Sequence, residues 1–421
     1  MWIFVEPLDV WLFRDGKPFS AGEQSRATGM FPPLPTTFQG AVRTAALAAA
    51  LEKAGLTFAQ FNGRANAPES SEKILQQLWT RWGRGAGELG QLRLRGPFLA
   101  RSGSAGLELF LPAPRDLVVV EDAGRRVGRV GALRRLGGAE VRGGLEAPAR
   151  AAWPDLAVPW LEAAEGAEPP GILSVEQFRQ YLLGEPVEVG DAAVAHDRLV
   201  KSDTRVGVQL DRVQGTVMHG RLYLAHFYRL APGAGLAAEI RIESEEPPLP
   251  DRGWMALGGE ARAAQYRKVG EPVLDPIEGN HFRRDLQTRL GQGRRFKLVL
   301  AAPAVFEGGW RPDFLHGPGF SGRLAGVPVK LVSAVVGKPV PVSGWDYAND
   351  RPKRLRWAVP AGSVYVLAVS EDEDRDRWVK TLLDGVHGRP LAQSHEDEAA
   401  GLGLAFVGAP PPEEGRRSAG V

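Results

Sequence analysis

Residues 6–47 read EPLDVWLFRDGKPFSAGEQSRATGMFPPLPTTFQGAVRTAAL, and the rest of the chain is organised around them. With the residues just before it, the opening WIFVEPLDVWLF is apolar enough for a buried strand, broken at Pro7 where the backbone must bulge or lie at an edge. Arg14, Asp15, Gly16, Lys17, Ser20, Gly22, Glu23 and Arg26 then form a polar, glycine-punctuated loop whose backbone can approach a partner closely. FPPLP at 31–35 enforces extended backbone, and a helix is expected directly after it, with Thr36 or Thr37 as N-cap. Phe38, Val42, Ala45, Ala46 and Ala49 carry the helical period, and Gly40 and Arg43 lie on the first turns. Free N–H groups, the positive end of the helix dipole and an arginine in one place suit a phosphate. An ordinary helix with a solvated arginine fits the same residues.

Composition bounds the remainder. A chain of 421 residues exceeds one typical core, so two domains are expected. There is no run of about 18 apolar residues and no basic-then-apolar leader pattern, so a cytoplasmic location without membrane contact is expected. Cysteine is absent, which removes disulfides, iron–sulfur clusters and thiolate zinc sites. The net charge is only +2, so nucleic-acid binding has to be argued from local clusters. Ten of the 52 basic residues are Lys and 42 are Arg, the side chain that grips phosphate bidentately and stacks on bases. A GC-rich genome produces the same bias.

Along the chain, a second helix is expected at 70–82, with Ile74, Leu75, Leu78 and Trp82 on one face. Residues 92–100 and 107–111 read as a hairpin. Residues 121–150 lose apolar periodicity, and Arg125, Arg126, Arg129, Arg134, Arg135 and Arg142 make them read as an exposed, flexible basic arm. A short helix capped by Ser174 follows at 175–183. Residues 222–230 and 236–243, separated by the turn-forming APGAG, are expected to pair as an antiparallel hairpin. The Arg-dense run 281–297 reads as a linker. Beyond it the order is strand (296–303), irregular segment (311–321), strands (327–336 and 359–369), helix (374–383) and strand (402–408), which matches a ferredoxin-like β-α-β-β-α-β unit.

Catalytic signatures are weak. None of the seven histidines forms a short metal spacing, and neither GxSxG nor GxxxxGK[ST] occurs. His196 with Lys201 and Asp203 has the residue types for acid–base RNA cleavage. The acidic runs 371–374 and 396–398 read as helix starts or solvated charge. Binding chemistry is better represented. Arg351, Lys353, Arg354 and Arg356 lie between Trp345, Tyr347 and Trp357, pairing phosphate-binding cations with base-stacking rings. A solvated hairpin with core tryptophans is the competing reading.

Four blocks carry a family resemblance: residues 6–43, RVGVQLDRVQGTVMHGRLYLAHFYRL at 205–230, LGGEARAAQY at 257–266 and VGKPVPVSGWDYANDRPKRLRWAVPAGSVYVL at 336–367. Together they resemble the third subunit of the type III-B CRISPR Cmr effector complex, and PTTFQGAVR at 35–43 resembles the helix-opening motif of the wider RAMP superfamily. The resemblance implies an α+β chain with two ferredoxin-like (RAMP/RRM-like) domains with antiparallel sheets. The first would span 1–270 and carry long insertions at about 121–200; the second would span 271–421. It implies no cofactor, no metal and no nuclease activity. Instead it implies a scaffold that holds the 5′ tag of the crRNA beside the large polymerase-like subunit and a neighbouring backbone RAMP subunit. On it, Arg14, Lys17, Arg26, Gly40 and Arg43 become candidate RNA contacts, and so do Arg205, Arg262, Arg351, Lys353, Arg354 and Arg356. Two alternatives remain: a metal-independent RAMP endoribonuclease processing precursor crRNA, and a structural subunit that touches only proteins.

Overall fold

A computed structural model describes residues 1–15, 26–27, 29–83, 90–104, 106–122, 124–134, 156–160, 171–189, 192–211, 214–242, 249–270, 273–346, 351–392 and 394–410. The opening strand, Trp2–Pro7, lies inside a seven-stranded sheet. The strand order is Ile172–Ser174, Gly106–Pro112, Leu92–Gly103, Ala234–Ile242, Trp2–Pro7, Ala263–Val269 and Arg252–Ala256, every pairing antiparallel. Its residues are apolar on both faces because both faces are covered. Ile3 and Val5 pack under the helices Pro35–Ala54 and Glu72–Trp82, whereas Trp2 and Phe4 point to the opposite side. A second seven-stranded antiparallel sheet runs Leu315–His316, Ser321–Leu324, Val327–Val335, Val364–Val369, Arg295–Leu300, Leu404–Gly408 and Arg389–Pro390. The architecture is mixed α/β with antiparallel sheets.

One hydrophobic core joins the two sheets. Trp2, Phe4, Phe98 and Leu111 share it with Phe296, Leu298, Tyr365 and Phe406, and the helix Val175–Leu182 fills it with Phe178, Tyr181 and Leu182. That helix is capped as its sequence predicts. Ser174 Oγ accepts from the Gln177 amide at 3.2 Å, and the Gln177 side chain accepts from the Ser174 amide at 2.9 Å.

Several expectations are corrected. The first helix starts at Pro35, one residue before the expected caps, because proline's fixed φ and missing N–H fit a first helical position. Thr36 and Thr37 therefore sit within the helix, and Leu34 takes the cap position without a side-chain hydrogen bond. The strands on either side of APGAG do not pair with each other. Val217–Leu230 pairs with Val200–Leu210 and with Val10–Leu12, while Ala234–Ile242 crosses into the first sheet between Trp2–Pro7 and Leu92–Gly103. Ala234–Ile242 is thereby flanked on both sides and almost wholly buried, which a two-stranded ribbon cannot provide.

The supposed linker is the helix Asn280–Leu290 followed by the strand Arg295–Leu300. Phe282, Leu286 and Leu290, four residues apart, form its buried stripe beneath a polar surface. The supposed basic arm contains the hairpin Leu117–Asp122/Arg125–Val130, extended by Val187–Glu188. It also contains the strand Ala132–Arg134, which pairs with Val158–Trp160. Arg125, Arg126 and Arg129 are exposed on this hairpin, and Arg135 and Arg142 lie outside the described residues. Among the described residues no helix is long and apolar enough to cross a membrane.

Candidate nucleic-acid interface

The start of the first helix and the tryptophan-flanked basic run, some 300 residues apart in sequence, meet in space. Leu34 packs in a small buried cluster with Val342, Ala358 and Leu402. Val342 and Ala358 belong to the paired strands Val340–Val342 and Arg356–Ala358 at the base of the run, while Trp345–Asp346 pairs with Arg351–Pro352 further out. Trp345 and Trp357 are 47% and 52% exposed, so they are surface rings and not core tryptophans.

The short helix His395–Ala400 ties these parts together. Gln39 on the first helix donates to the Ala399 carbonyl at 2.9 Å and to the Leu92 carbonyl at 3.2 Å. From the other side, Arg356 binds both carboxylate oxygens of buried Asp397 at 2.6 and 2.7 Å. Those hydrogen bonds push the guanidinium pKa up. Lys353 pairs with Glu396 at 2.5 Å. Arg351 is exposed, and Arg354 is exposed without a carboxylate partner among the described residues. Of the acids at 396–398, Glu396 and Asp397 are therefore ion-pair partners of this run and not merely solvated charge. No local spacing could reveal a pair 41 residues apart.

Arg43 is differently placed. It lies more than two turns into the helix and donates to the Gly83 carbonyl at 2.7 Å, capping the end of Glu72–Trp82. Burial lowers its pKa. Gly40 is exposed and has open space where a Cβ would stand. Helix start and Arg43 thus do not form one phosphate cradle.

Arg205 and Arg262 meet over the ring of Phe227, at 4.5 and 5.1 Å from its centroid. Each is steadied by an acid two residues earlier, Arg205 by Asp203 at 2.9 Å and Arg262 by Glu260 at 2.6 Å. Arg229 joins Asp203 to Asp9, at 3.4 and 3.0 Å. The hydrogen bond from Arg205 holds the Asp203 carboxyl below the usual range. The LGGEA turn that delivers Arg262 is tight: Gly258 has φ +87, and a Cβ there would stand 2.6 Å from the Leu12 carbonyl. Beside this cluster Arg26–Ala27 pairs in parallel with Leu224–Ala225. Arg14 forms a backbone bridge with Gly29. Lys17 lies outside the described residues.

The acid–base set is not assembled. Asp203 serves Arg205 and Arg229, while His196 faces Asp197 at 3.4 Å. His226 contacts Thr204 Oγ1 at 3.0 Å. His387 is buried with both ring nitrogens engaged, by the Ile277 carbonyl at 2.7 Å and the Val407 amide at 3.1 Å. Among the described residues no three His, Asp or Glu gather as a metal site.

No curated protein matches the chain. Among solved structures, it is similar to a chain of the type III-B Cmr-beta bound to cognate target RNA and AMPPnP, with 14% identity and a TM-score of 0.41 over 87% of this chain and 86% of that one. A chain of Cmr-beta bound to cognate target RNA shares 14% identity, with a TM-score of 0.42 over 91% and 94%. A chain of the Csm3–Csm4 subcomplex in the type III-A CRISPR-Cas interference complex shares 10%, with a TM-score of 0.33 over 86% and 92%. The family model described as CRISPR-associated protein (Cas_Cmr3) matches residues 3–410. A match over nearly the whole length settles the family: the chain belongs to the Cas_Cmr3 family of CRISPR-associated proteins.

Proposed function

We propose that this protein is a non-catalytic RNA-binding scaffold subunit of a type III-B CRISPR (Cmr) ribonucleoprotein. In this reading it holds the 5′ tag of the crRNA and docks the large polymerase-like subunit and a neighbouring backbone RAMP subunit. It is built from two ferredoxin-like domains, divided near residue 270. The strand orders support that division. In the first sheet the first strand lies between the third and the fourth, as Ala234–Ile242, Trp2–Pro7 and Ala263–Val269; in the second, Val364–Val369, Arg295–Leu300 and Leu404–Gly408 repeat the arrangement.

The observation that carries the RNA reading is the 345–358 element, where exposed Trp345 and Trp357 flank Arg351, Lys353 and Arg354 beside the start of the first helix. Rings beside cations bind single strands by stacking and phosphate contact together. The non-catalytic reading is supported by two histidine environments: His387 is buried with both ring nitrogens engaged by the backbone, and His196 contacts its sequence neighbour Asp197.

The test uses the complex assembled with guide RNA. Arg354→Ala combined with Trp357→Ala is expected to weaken retention of the tag about tenfold, with a steep salt dependence in the parent complex. Unchanged retention sinks the assignment and favours a subunit that touches only proteins. Cleavage of repeat RNA by the purified protein in EDTA would instead identify a metal-independent nuclease.

A further inference from the structure

The outer corner of the first sheet carries an arrangement that the 345–358 element does not use. On the edge strand Arg252–Ala256 and its neighbour Ala263–Val269, Arg252 stands directly opposite Arg267, and Trp254 opposite Gln265. The next strand continues both rows with Phe4 and Glu6. The alternate residues Met255, Ala264, Tyr266 and Val5 are buried under the helices, so Arg252, Trp254, Gln265 and Arg267 share the other face.

Two features of this corner are costly for a protein left alone. Like charges directly opposite each other on neighbouring strands repel. Arg252 has no ion pair among the described residues; Arg267 lies over the Phe4 ring at 5.0 Å and donates to Ser102 Oγ at 2.8 Å, but meets no carboxylate. Among the described residues the nearby acids do not relieve them, because Asp251 is taken by Lys268 at 3.1 Å and Glu6 forms no ion pair with either arginine. Trp254, two residues along the same face, is 59% exposed.

An anion from outside would neutralise the arginine pair, and a planar group from outside would cover the indole. A single-stranded nucleic acid supplies both at the spacing of adjacent sheet rows. We propose that this corner is a second RNA-binding surface, with a phosphate between Arg252 and Arg267 and a base stacked on Trp254, Gln265 offering its amide to the base edge. The inference rests on the reading of the protein as an RNA-binding subunit, but uses residues separate from the 345–358 element.

The experiment measures binding of a fluorescein-labelled single-stranded oligouridylate of about ten nucleotides to the full-length protein by anisotropy, with thermal melting of the same samples. Trp254→Ala is expected to weaken binding about tenfold, and Arg252→Gln to lower the salt slope by about one. Arg252→Glu gives the sharpest readout. It creates an opposite-charge cross-strand pair with Arg267, so it should raise the melting temperature while reducing RNA binding, a divergence that a purely structural arginine does not produce.

Absence of oligouridylate binding by the parent protein, unchanged affinity in Trp254→Ala, or equal affinity for a blunt-ended RNA duplex of the same length, measured in the same way, each overturns the proposal. A photocrosslinker at position 254 that captures a protein subunit in the assembled complex, and not RNA, overturns it in favour of a protein interface. The Arg354→Ala/Trp357→Ala protein serves as the parallel arm. Loss of tag retention there with no effect of the Trp254 and Arg252 changes sinks this surface and leaves the proposed function standing, and the reverse pattern does the opposite.

Discussion

Arg43 and His387 show how a single side chain's role is set by what it touches. Arg43 is spent on the Gly83 carbonyl at 2.7 Å, so Arg43→Ala removes a charge-assisted hydrogen bond at a helix end. We expect a loss of about 1–3 kcal/mol in urea unfolding whether or not RNA is present. A variant as stable as the parent but unable to hold RNA would return Arg43 to the interface. His387 is the clearest pH-sensitive group. Burial pushes its pKa down to about 4, outweighing the opposing pull of its hydrogen bond to the Ile277 carbonyl. Between about pH 4 and 6.5 the unfolded chain therefore binds a proton that the folded ring refuses. Stability should fall as pH drops through that window, by about 3 kcal/mol in all, and be unaffected by this group above it. His387→Gln removes that slope, so unfolding measured at pH 7 and pH 4.5 should differ less in the variant than in the parent; equal differences refute the assignment.

At the scale of elements, the short helix His395–Ala400 decides whether the 345–358 run is held in place. The two of its three acids that face the run are unequal. Asp397 is 4% exposed and grips Arg356 with both oxygens, whereas Glu396 and Lys353 meet in solvent. Truncating Asp397 leaves a half-buried guanidinium unpaired, so Asp397→Ala should cost about 2–4 kcal/mol, and Glu396→Ala under about 1 kcal/mol. Amide exchange over 340–358 should accelerate only in the first variant, and equal effects would mean that the helix does not anchor the run. The same contrast explains what the sequence could reveal. Strand Trp2–Pro7, the Ser174 cap and the helices 72–82 and 375–385 were legible because their signals are local: apolar period, cap residue, glycine or acid at an end. The helix Asn280–Leu290 was hidden because its eight polar residues, three of them arginines, outnumber the three residues of its buried stripe. The 217–230 and 234–242 strands misled because a turn signal fixes a reversal of the chain but not the sheet each arm joins. Of the candidate site, the basic and aromatic residue types were readable at 345–357. The ion pairs Arg356–Asp397 and Lys353–Glu396 and the Arg252–Arg267 register were not, because each depends on how separate segments of the chain are placed against each other.

On the scale of the molecule, the apparent insertion within 121–200 changes the meaning of having two sheets. Its helix Val175–Leu182 places Phe178 against Phe406 of the second sheet, ring centroids 5.8 Å apart, inside the same core as Trp2 and Phe4 of the first. A buried polar chain crosses at the same level. Tyr181 donates to Asp116 at 2.6 Å, and Lys297 lies over the Tyr181 ring at 3.6 Å while donating to the Tyr181 carbonyl at 3.3 Å. Burial pushes Asp116 up and brings Lys297 down to about 8, while their mutual attraction opposes both shifts. Neither sheet keeps its inner face dry without the other, so the two sheets should unfold as one unit. Phe178→Ala removes a fully buried ring and is expected to cost about 3–5 kcal/mol. If the core is shared, native-state hydrogen exchange in Trp2–Pro7 and in Leu404–Gly408 should lose protection by the same amount. Protection lost from the second sheet alone, or two separate transitions in urea, would show that the halves are stable independently and that the helix merely bridges them.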